Sequence, residues 1–311
     1  MKFYFIVPKD KAILPSKILL DKLGSFGTIE IIRHQGKLQD IEQLKKDKDD
    51  KILAVDPDVF DWDFDAETVK DLSGVKAVMS SSTSFDWIKP QILKEIGVLA
   101  CNVPGFSSDA VAEYAVAMAI DVSRRLPIII KNNWKIDWDY SKPMLLKGKR
   151  AGVIGLGRIG KKMAEVCQGI GMEVVYWSRK SRDDRFRKVE LDELFETADV
   201  IMPALVENSE TKQIITKKLL DSVKSTAILI GIGRVKVLWD EDYILNKVNK
   251  EEIAGYAFEG DNTKEIGAYE GNVWALPAMA WHTQESLDNL MEIWVENMIA
   301  LANGNPQNVI N

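Results

Sequence analysis

Arg150-Ala-Gly-Val-Ile-Gly-Leu-Gly-Arg-Ile-Gly160, with Ser178-Arg179 some twenty residues on, decides the reading of this chain. The apolar run 151–154 reads as a buried parallel strand. Gly155, Gly157 and Gly160 then give G-x-G-x-x-G, and a helix is expected to follow through Lys161-Lys162-Met163-Ala164-Glu165-Val166. Each glycine has its own reason. Gly155 allows the tight turn, Gly157 lets a pyrophosphate approach the backbone, and Gly160 lets helix and strand pack closely. Free N–H groups at the helix N-terminus, where the dipole favours an anion, would receive the pyrophosphate. A second strand at Glu173–Trp177 lies at the distance a dinucleotide-binding unit requires.

That second strand also bears on the cofactor. In NAD-selective sites an acidic residue at its tip bonds the ribose 2′-hydroxyl. Here the tip reads Tyr176-Trp177-Ser178-Arg179-Lys180, with no acid. Ser178 can donate a hydrogen bond, and Arg179 can form charge-assisted bonds to a 2′-phosphate and stack on adenine. NADP is therefore the expected preference, with NAD the alternative because Asp183 and Asp184 lie close in sequence.

Composition sets the outer bounds. A chain of 311 residues accommodates two domains of ordinary size, each able to bury its own core. Apolar content of 46% and charged content of 28% are those of a globular protein, and a net charge of −6 argues against a nucleic-acid partner. No apolar run reaches the length of a membrane span, so no membrane association is expected. Cys101 and Cys167 sit in apolar surroundings and read as reduced core thiols, which points to the cytosol. No Cys/His cluster has metal-binding spacing, and the only histidines are His34 and His282.

The N-terminal part alternates apolar runs at 3–7, 29–32, 52–55, 75–79 and 98–101 with amphipathic segments, the pattern of a parallel sheet covered by helices. A long helix is expected over 108–125, closed before Pro127. Its alanines (Ala110, Ala112, Ala115, Ala117, Ala119) would permit close packing. The aromatic-rich stretch 127–149 reads as irregular. From Arg150 a second α/β run supplies strands at 153–155, 174–177, 200–202, 227–230, 253–257 and 273–275. A final helix over Gln284–Ala302 cannot extend that sheet and is expected to return to the first domain. The expected fold is α/β: two doubly wound parallel-sheet domains, a flavodoxin-like substrate domain (1–101 plus 284–311) and a Rossmann dinucleotide-binding domain (102–283).

In several of its motifs, taken in order, the chain resembles the D-isomer-specific 2-hydroxyacid dehydrogenases over nearly its whole length. The resemblance rests on Cys101-Asn102-Val103-Pro104-Gly105 followed by Ala112-Glu113, on the glycine fingerprint, on Gly171-Met172, on Asp199, on Glu210-Thr211 and on Gly231-Ile-Gly-Arg234. The Ser178-Arg179 pair is similar to the glyoxylate and hydroxypyruvate reductases within that family. The resemblance implies hydride transfer between a nicotinamide cofactor and a small 2-keto or 2-hydroxy acid, in the cleft between two domains of a homodimer. It places cofactor contacts at Gly155, Gly157, Arg158, Ile159, Gly160, Ser178, Arg179, Lys180, Leu205, Val206, Thr211, Ile232, Gly233 and Glu259.

The chemistry narrows the catalytic set. Reducing a 2-keto acid needs a cation for the carboxylate, a proton for the nascent hydroxyl and a nicotinamide held against the carbon. Arg234, just past a strand at its C-terminal end, suits the first task, because its fork matches a carboxylate. The family's proton donor is a histidine paired with a glutamate, and here the sequence departs. Thr283-x-Glu285-Ser286 sets the register, and the histidine position is Ala278. His282, four residues on, or water would have to donate the proton. At the position of the partner glutamate stands Lys264, with Glu265 one residue displaced. Glu265 either serves His282 or is a solvated loop acid. Where the family binds the substrate carboxylate with glycine-rich backbone, this chain has Ser80-Ser81-Ser82-Thr83-Ser84, so Ser82, Thr83 and Ser84 join Arg234 as candidate substrate contacts. Ala278 also opens a different reading: an NADP(H)-binding protein with eroded catalysis, acting as a sensor or interaction partner.

Overall fold

The apolar runs near the N-terminus form β1 (Lys2–Pro8), β2 (Thr28–His34), β3 (Lys51–Val55), β4 (Val75–Ser80) and β5 (Leu99–Cys101). They pair in parallel in the order β2-β1-β3-β4-β5, a doubly wound arrangement of the flavodoxin type. Central strands covered on both faces read as continuous apolar runs, and β1 and β3 do so. The edge strand β2 is partly exposed along its length. The computed structural model describes residues 1–10, 12–138, 143–206, 208, 210–233, 235–260 and 265–311. These form two compact units, Met1–Ser107 with Thr283–Asn311, and Ser108–His282.

In the first unit the sheet is covered by α1 (Lys17–Gly24), α2 (Glu42–Lys46), α3 (Pro90–Glu95) and the C-terminal α10 (Gln284–Ala302). Thr283 caps α10 by accepting from the Ser286 N–H. Trp294 anchors the helix on the sheet. It is fully buried, meets Phe5 edge to face with ring centroids 5.2 Å apart, and donates its indole N–H to the Met79 carbonyl at 2.9 Å. Buried aromatic pairs of this geometry are worth about 0.5–1.5 kcal/mol beyond area burial.

The second unit holds β6 (Arg150–Ile154), β7 (Glu173–Trp177), β8 (Arg187–Lys188), β9 (Val200–Pro203), β10 (Ile228–Gly231), β11 (Gly255–Glu259) and β12 (Val273–Leu276). Their order is β12-β11-β10-β9-β6-β7-β8, all parallel. The order reverses between β6 and β9, the switch point at which open α/β sheets bind ligands. The two α/β sheets match the expected fold class.

Covering this sheet are α4 (Ser108–Ser123), α5 (Leu126–Lys131), α6 (Arg158–Gly169), α7 (Leu191–Thr197), α8 (Lys217–Asp221) and α9 (Glu241–Asn249). Ala112, Ala115 and Ala119 of α4 are buried against the sheet and α6, whereas Ala117 faces solvent. Two local expectations change. The stretch after Pro127 is not wholly irregular: Arg125, at φ 57°, breaks α4, and Pro127 lies in the first turn of α5, where its missing N–H costs nothing. Strand β8 has two exposed basic residues and no apolar pattern to announce it.

Candidate active site

The glycine turn lies between β6 and α6. Gly155 has φ +96°, and a Cβ there would come within 2.7–2.8 Å of Leu205 and the Ala204 carbonyl. A Cβ on Gly160 would stand 1.9 Å from the Gly155 carbonyl oxygen, so this glycine is required by the helix–strand contact itself. Gly157 differs. A Cβ there meets no atom within 4 Å, and the residue caps α6 with no side-chain hydrogen bond. The first turn of α6 thus presents backbone N–H groups beside open space, a cradle that fits a dinucleotide pyrophosphate. Arg158 is exposed at its rim, and Ile159 packs into the core beneath.

At the tip of β7, Ser178 is buried and its hydroxyl accepts from the Ser181 N–H at 3.2 Å. Arg179 turns towards the loop after β9. It donates to the Glu210 carboxylate at 2.6 Å and to the Glu210 carbonyl at 2.7 Å. Lys180 is exposed. Nothing in the sequence pointed to Glu210 as the partner of Arg179, because the two lie 31 residues apart. Asp183 is held by Arg185 and Lys161. In the β9 loop, Leu205 packs against Gly155 and Val206 is exposed. Thr211 is buried, with its hydroxyl donating to the Val206 carbonyl at 2.6 Å and accepting from the Asn208 N–H at 2.9 Å.

Beyond β10 come the half-buried Ile232 and the exposed Gly233, at φ +70°. Arg234 and Lys264 lie outside the described residues. Glu259, at the end of β11, is buried, and its carboxylate accepts from the backbone N–H groups of Gly233, Met279 and Ala280. Ala278 is exposed on the turn after β12. His282 is exposed on the same turn, its N–H donating to the Met279 carbonyl and its ring edge-on to Trp281 at 5.1 Å. Glu265 is exposed at the start of the short helical turn Ile266–Ala268. No ion pair joins Glu265 to His282 among the described residues. Tyr114 of α4 has a buried hydroxyl with no hydrogen-bond partner among the described residues. Burial, with the charges of Glu259 and Asp121, pushes its phenol up to about 12.

In the first unit the serine-rich loop follows β4. Ser80 and Ser82 share a hydrogen bond at 2.7 Å, Ser82 donates to the Ser84 carbonyl and accepts from the Trp87 indole, and Thr83 donates its hydroxyl to the Val103 carbonyl. These hydroxyls therefore brace the loop. The backbone N–H groups of Thr83 and Ser84 find no acceptor among the described residues. Asp56, just past β3, accepts from the Ser81 hydroxyl at 3.3 Å, and burial pushes its carboxyl above the ordinary range. Neither Tyr114 nor Asp56 carried a sequence signal, since each lies outside any motif.

Residues 116–279, more than half of the chain, match the D-isomer specific 2-hydroxyacid dehydrogenase NAD-binding domain. The chain belongs to the D-isomer-specific 2-hydroxyacid dehydrogenase family. Among curated relatives, it is 26% identical to a hydroxypyruvate reductase of Blautia hydrogenotrophica, over 79% of this chain and 81% of that protein. It is 27% identical to a glyoxylate reductase of Thermococcus litoralis, over 79% and 80%. Among solved structures, an acyclic imino acid reductase in complex with NADPH and D-Arg shares the fold with a TM-score of 0.79 at 24% identity. That match covers 100% of both chains. The D-lactate dehydrogenase of Lactobacillus jensenii with NAD+ does so at 0.78 and 20%, again over 100% of both chains. This 2-hydroxyacid dehydrogenase family member is an NAD(P)-dependent oxidoreductase, and its Rossmann unit is the NAD(P)-binding domain.

Proposed function

We propose that this dehydrogenase reduces small 2-keto acids to 2-hydroxy acids, with NADPH preferred over NADH. The observation that carries the reading is the start of α6, where Gly157 as cap offers the first turn no side-chain acceptor and leaves open space, at the sheet's switch point. Gly155, Gly157, Arg158, Ile159 and Gly160 would hold the pyrophosphate. Ser178, Arg179 and Lys180 would take the adenosine end, and Leu205, Val206, Thr211, Ile232, Gly233 and Glu259 would border the rest. The bound dinucleotide supplies the hydride. Arg234 anchors the substrate carboxylate and polarises the ketone, and the N–H groups of Thr83 and Ser84, with no acceptor among the described residues, support the reading of that loop as the substrate loop. His282 or water donates the proton, with Glu265 as an exposed loop acid.

The preference for NADPH rests on a β7 tip that carries Arg179 and Lys180 and no acid. The alternative, a cofactor-binding sensor, has only the alanine at position 278 in its favour. The imino acid reductase likeness speaks for the fold alone. Two buried free cysteines favour a reducing compartment, the cytosol. The exposed Trp134, Ile136, Trp138 and Leu145 of the second unit favour a homodimer through that unit.

The test follows oxidation of NADPH and of NADH with glyoxylate, hydroxypyruvate and pyruvate. Turnover with a higher kcat/KM for NADPH is the expected result. Tight NADPH binding without turnover on any acceptor would favour the sensor. Sedimentation velocity is expected to give a dimer, and Trp138→Asp to shift it towards monomer. A monomer at micromolar wild-type concentration would remove the dimer from the proposal.

A further inference from the structure

The C-terminal ends of β10, β11 and β12 lie side by side, and the residue ending the middle strand is an acid. Glu259 is only 5% exposed. A carboxylate withdrawn from water needs donors in place of the lost hydration. Glu259 finds them on both neighbouring connections. One oxygen, Oε1, accepts from the N–H groups of Met279 at 2.8 Å and Ala280 at 3.1 Å, on the turn after β12. The other, Oε2, accepts from Gly233 N–H at 3.2 Å, on the turn after β10. The Met279 bond has the short length usual for a charge-assisted bond, while the Ala280 and Gly233 bonds are of ordinary length; together they tie the carboxylate to both turns.

The two connections so joined carry the groups on which the proposed chemistry depends. Gly233 immediately precedes Arg234 in the chain. The turn bearing Met279 and Ala280 also bears Ala278 and His282, and it closes on itself through the His282 N–H to the Met279 carbonyl at 2.9 Å. Backbone turns at strand ends are the parts of such a sheet freest to shift. A single buried carboxylate bridging both removes that freedom. Side-chain length matters here. An aspartate is one methylene shorter and would not span from β11 to both turns at these distances. A glutamine keeps the length but turns one acceptor into an N–H donor aimed at N–H groups.

We propose that Glu259, besides bordering the dinucleotide, has a positioning role: it bolts the Gly233 turn to the 278–282 turn, so that the groups on both act on one substrate in a fixed arrangement. This role rests on the keto-acid reductase reading for its catalytic consequence, and on geometry alone for the clamp itself.

The experiment compares wild type with Glu259→Asp and Glu259→Gln, both saturated with NADPH. It reads kcat per NADPH-binding site and, independently, amide hydrogen exchange over 231–233 and 277–283. The clamp predicts a kcat loss of about 10²-fold in both variants, the scale of a misplacement near 1 Å. It also predicts lost protection confined to those two segments. Unchanged kcat per binding site in both variants would overturn the positioning role. Protection lost evenly across the second unit would reduce Glu259 to a general contributor to stability and would overturn it too. If wild type reduces none of the acceptors, the keto-acid reading fails, and the exchange data still decide the clamp. Local loss supports it and unchanged protection overturns it.

Discussion

Arg179 and Glu210 form a two-pronged contact, one guanidinium nitrogen on the Glu210 carboxylate at 2.6 Å and the other on its carbonyl at 2.7 Å. The arginine expected to receive a 2′-phosphate is thus held by an anion of its own protein. An exposed pair of this kind is worth about 0–1 kcal/mol, so a phosphate can displace it at small cost. Glu210→Gln is expected to tighten NADPH binding up to about fivefold, with Tm unchanged. Arg179→Ala is expected to weaken NADPH about 10- to 100-fold, the value of charged hydrogen bonds, and to leave NADH alone. Fluorescence titration with both cofactors measures this. Equal losses for the two would mean that Arg179 only braces the loop.

Gly157 and Gly160 separate cofactor binding from folding. An alanine at Gly157 has room in the protein at an ordinary φ of −76°, so stability should change by no more than about 1 kcal/mol. Dinucleotide affinity is expected to collapse, because the methyl group occupies the pyrophosphate's approach. An alanine at Gly160 collides with the Gly155 carbonyl and is expected to cost about 3 kcal/mol or more in stability. Thermal melts with and without NADPH distinguish the two. A Gly157→Ala protein with wild-type affinity would move the cofactor elsewhere.

Arg234→Ala is expected to lower kcat/KM by at least about 10²-fold while NADPH still binds, since it removes a substrate anchor and not a cofactor contact. Ala278→His adds a candidate acid to the turn that Glu259 holds, and a positioned acid contributes about 10²–10⁴-fold. A rise in kcat is therefore expected. Stopped-flow traces of NADPH oxidation report both, and an unaffected Arg234→Ala rate would remove that residue from the mechanism.

Acid stability is expected to depend on Asp47 in the first unit. Burial alone would raise its carboxyl. The Asp49 N–H, the Tyr4 hydroxyl, the Lys2 ammonium and the charge of Lys51 outweigh burial and hold it well below the ordinary carboxylate range. Since the folded-state value is depressed, the stabilisation is present above the unfolded-state value, about 3.9, and fades as pH falls below it. Asp47→Asn leaves the fully buried Lys51 without its charge partner and is expected to cost about 3 kcal/mol at pH 7. It should also flatten the loss of stability below pH 4. Urea unfolding at pH 3, 4 and 7 supplies the comparison, and parallel pH curves for the two proteins would contradict it.

Local sequence rules carried much of the fold. The apolar runs that became β1, β3, β6 and β9 are buried on both faces, so their pattern survives averaging over neighbours. Strand β8 and helix α5 were not legible, the first because two exposed basic residues carry no burial signal, the second because Pro127 reads as a stop and serves as a start. In the candidate site, the glycine turn was legible because its three glycines stand within six residues at a fixed spacing. Gly160 answers the Gly155 carbonyl beside it, whereas the space at Gly157 is open and the Ala204–Leu205 contact at Gly155 came only with the fold. Glu210 on Arg179, Asp56 on Ser81 and Glu259 on two turns were not legible, for each partner lies 20 or more residues away.

The sequence by itself thus determined the α/β class, the dinucleotide turn and the absence of an imidazole at position 278, because strand periodicity, backbone permissiveness and residue identity are local properties. Folding determined what each polar group does. Arg179 faces a carboxylate, the serine hydroxyls brace their own loop, and Glu259 fastens two backbone turns. A buried or half-buried polar group takes the partner that the packed sheet brings within about 3 Å, and sheet order is a long-range outcome of burying all the strands together.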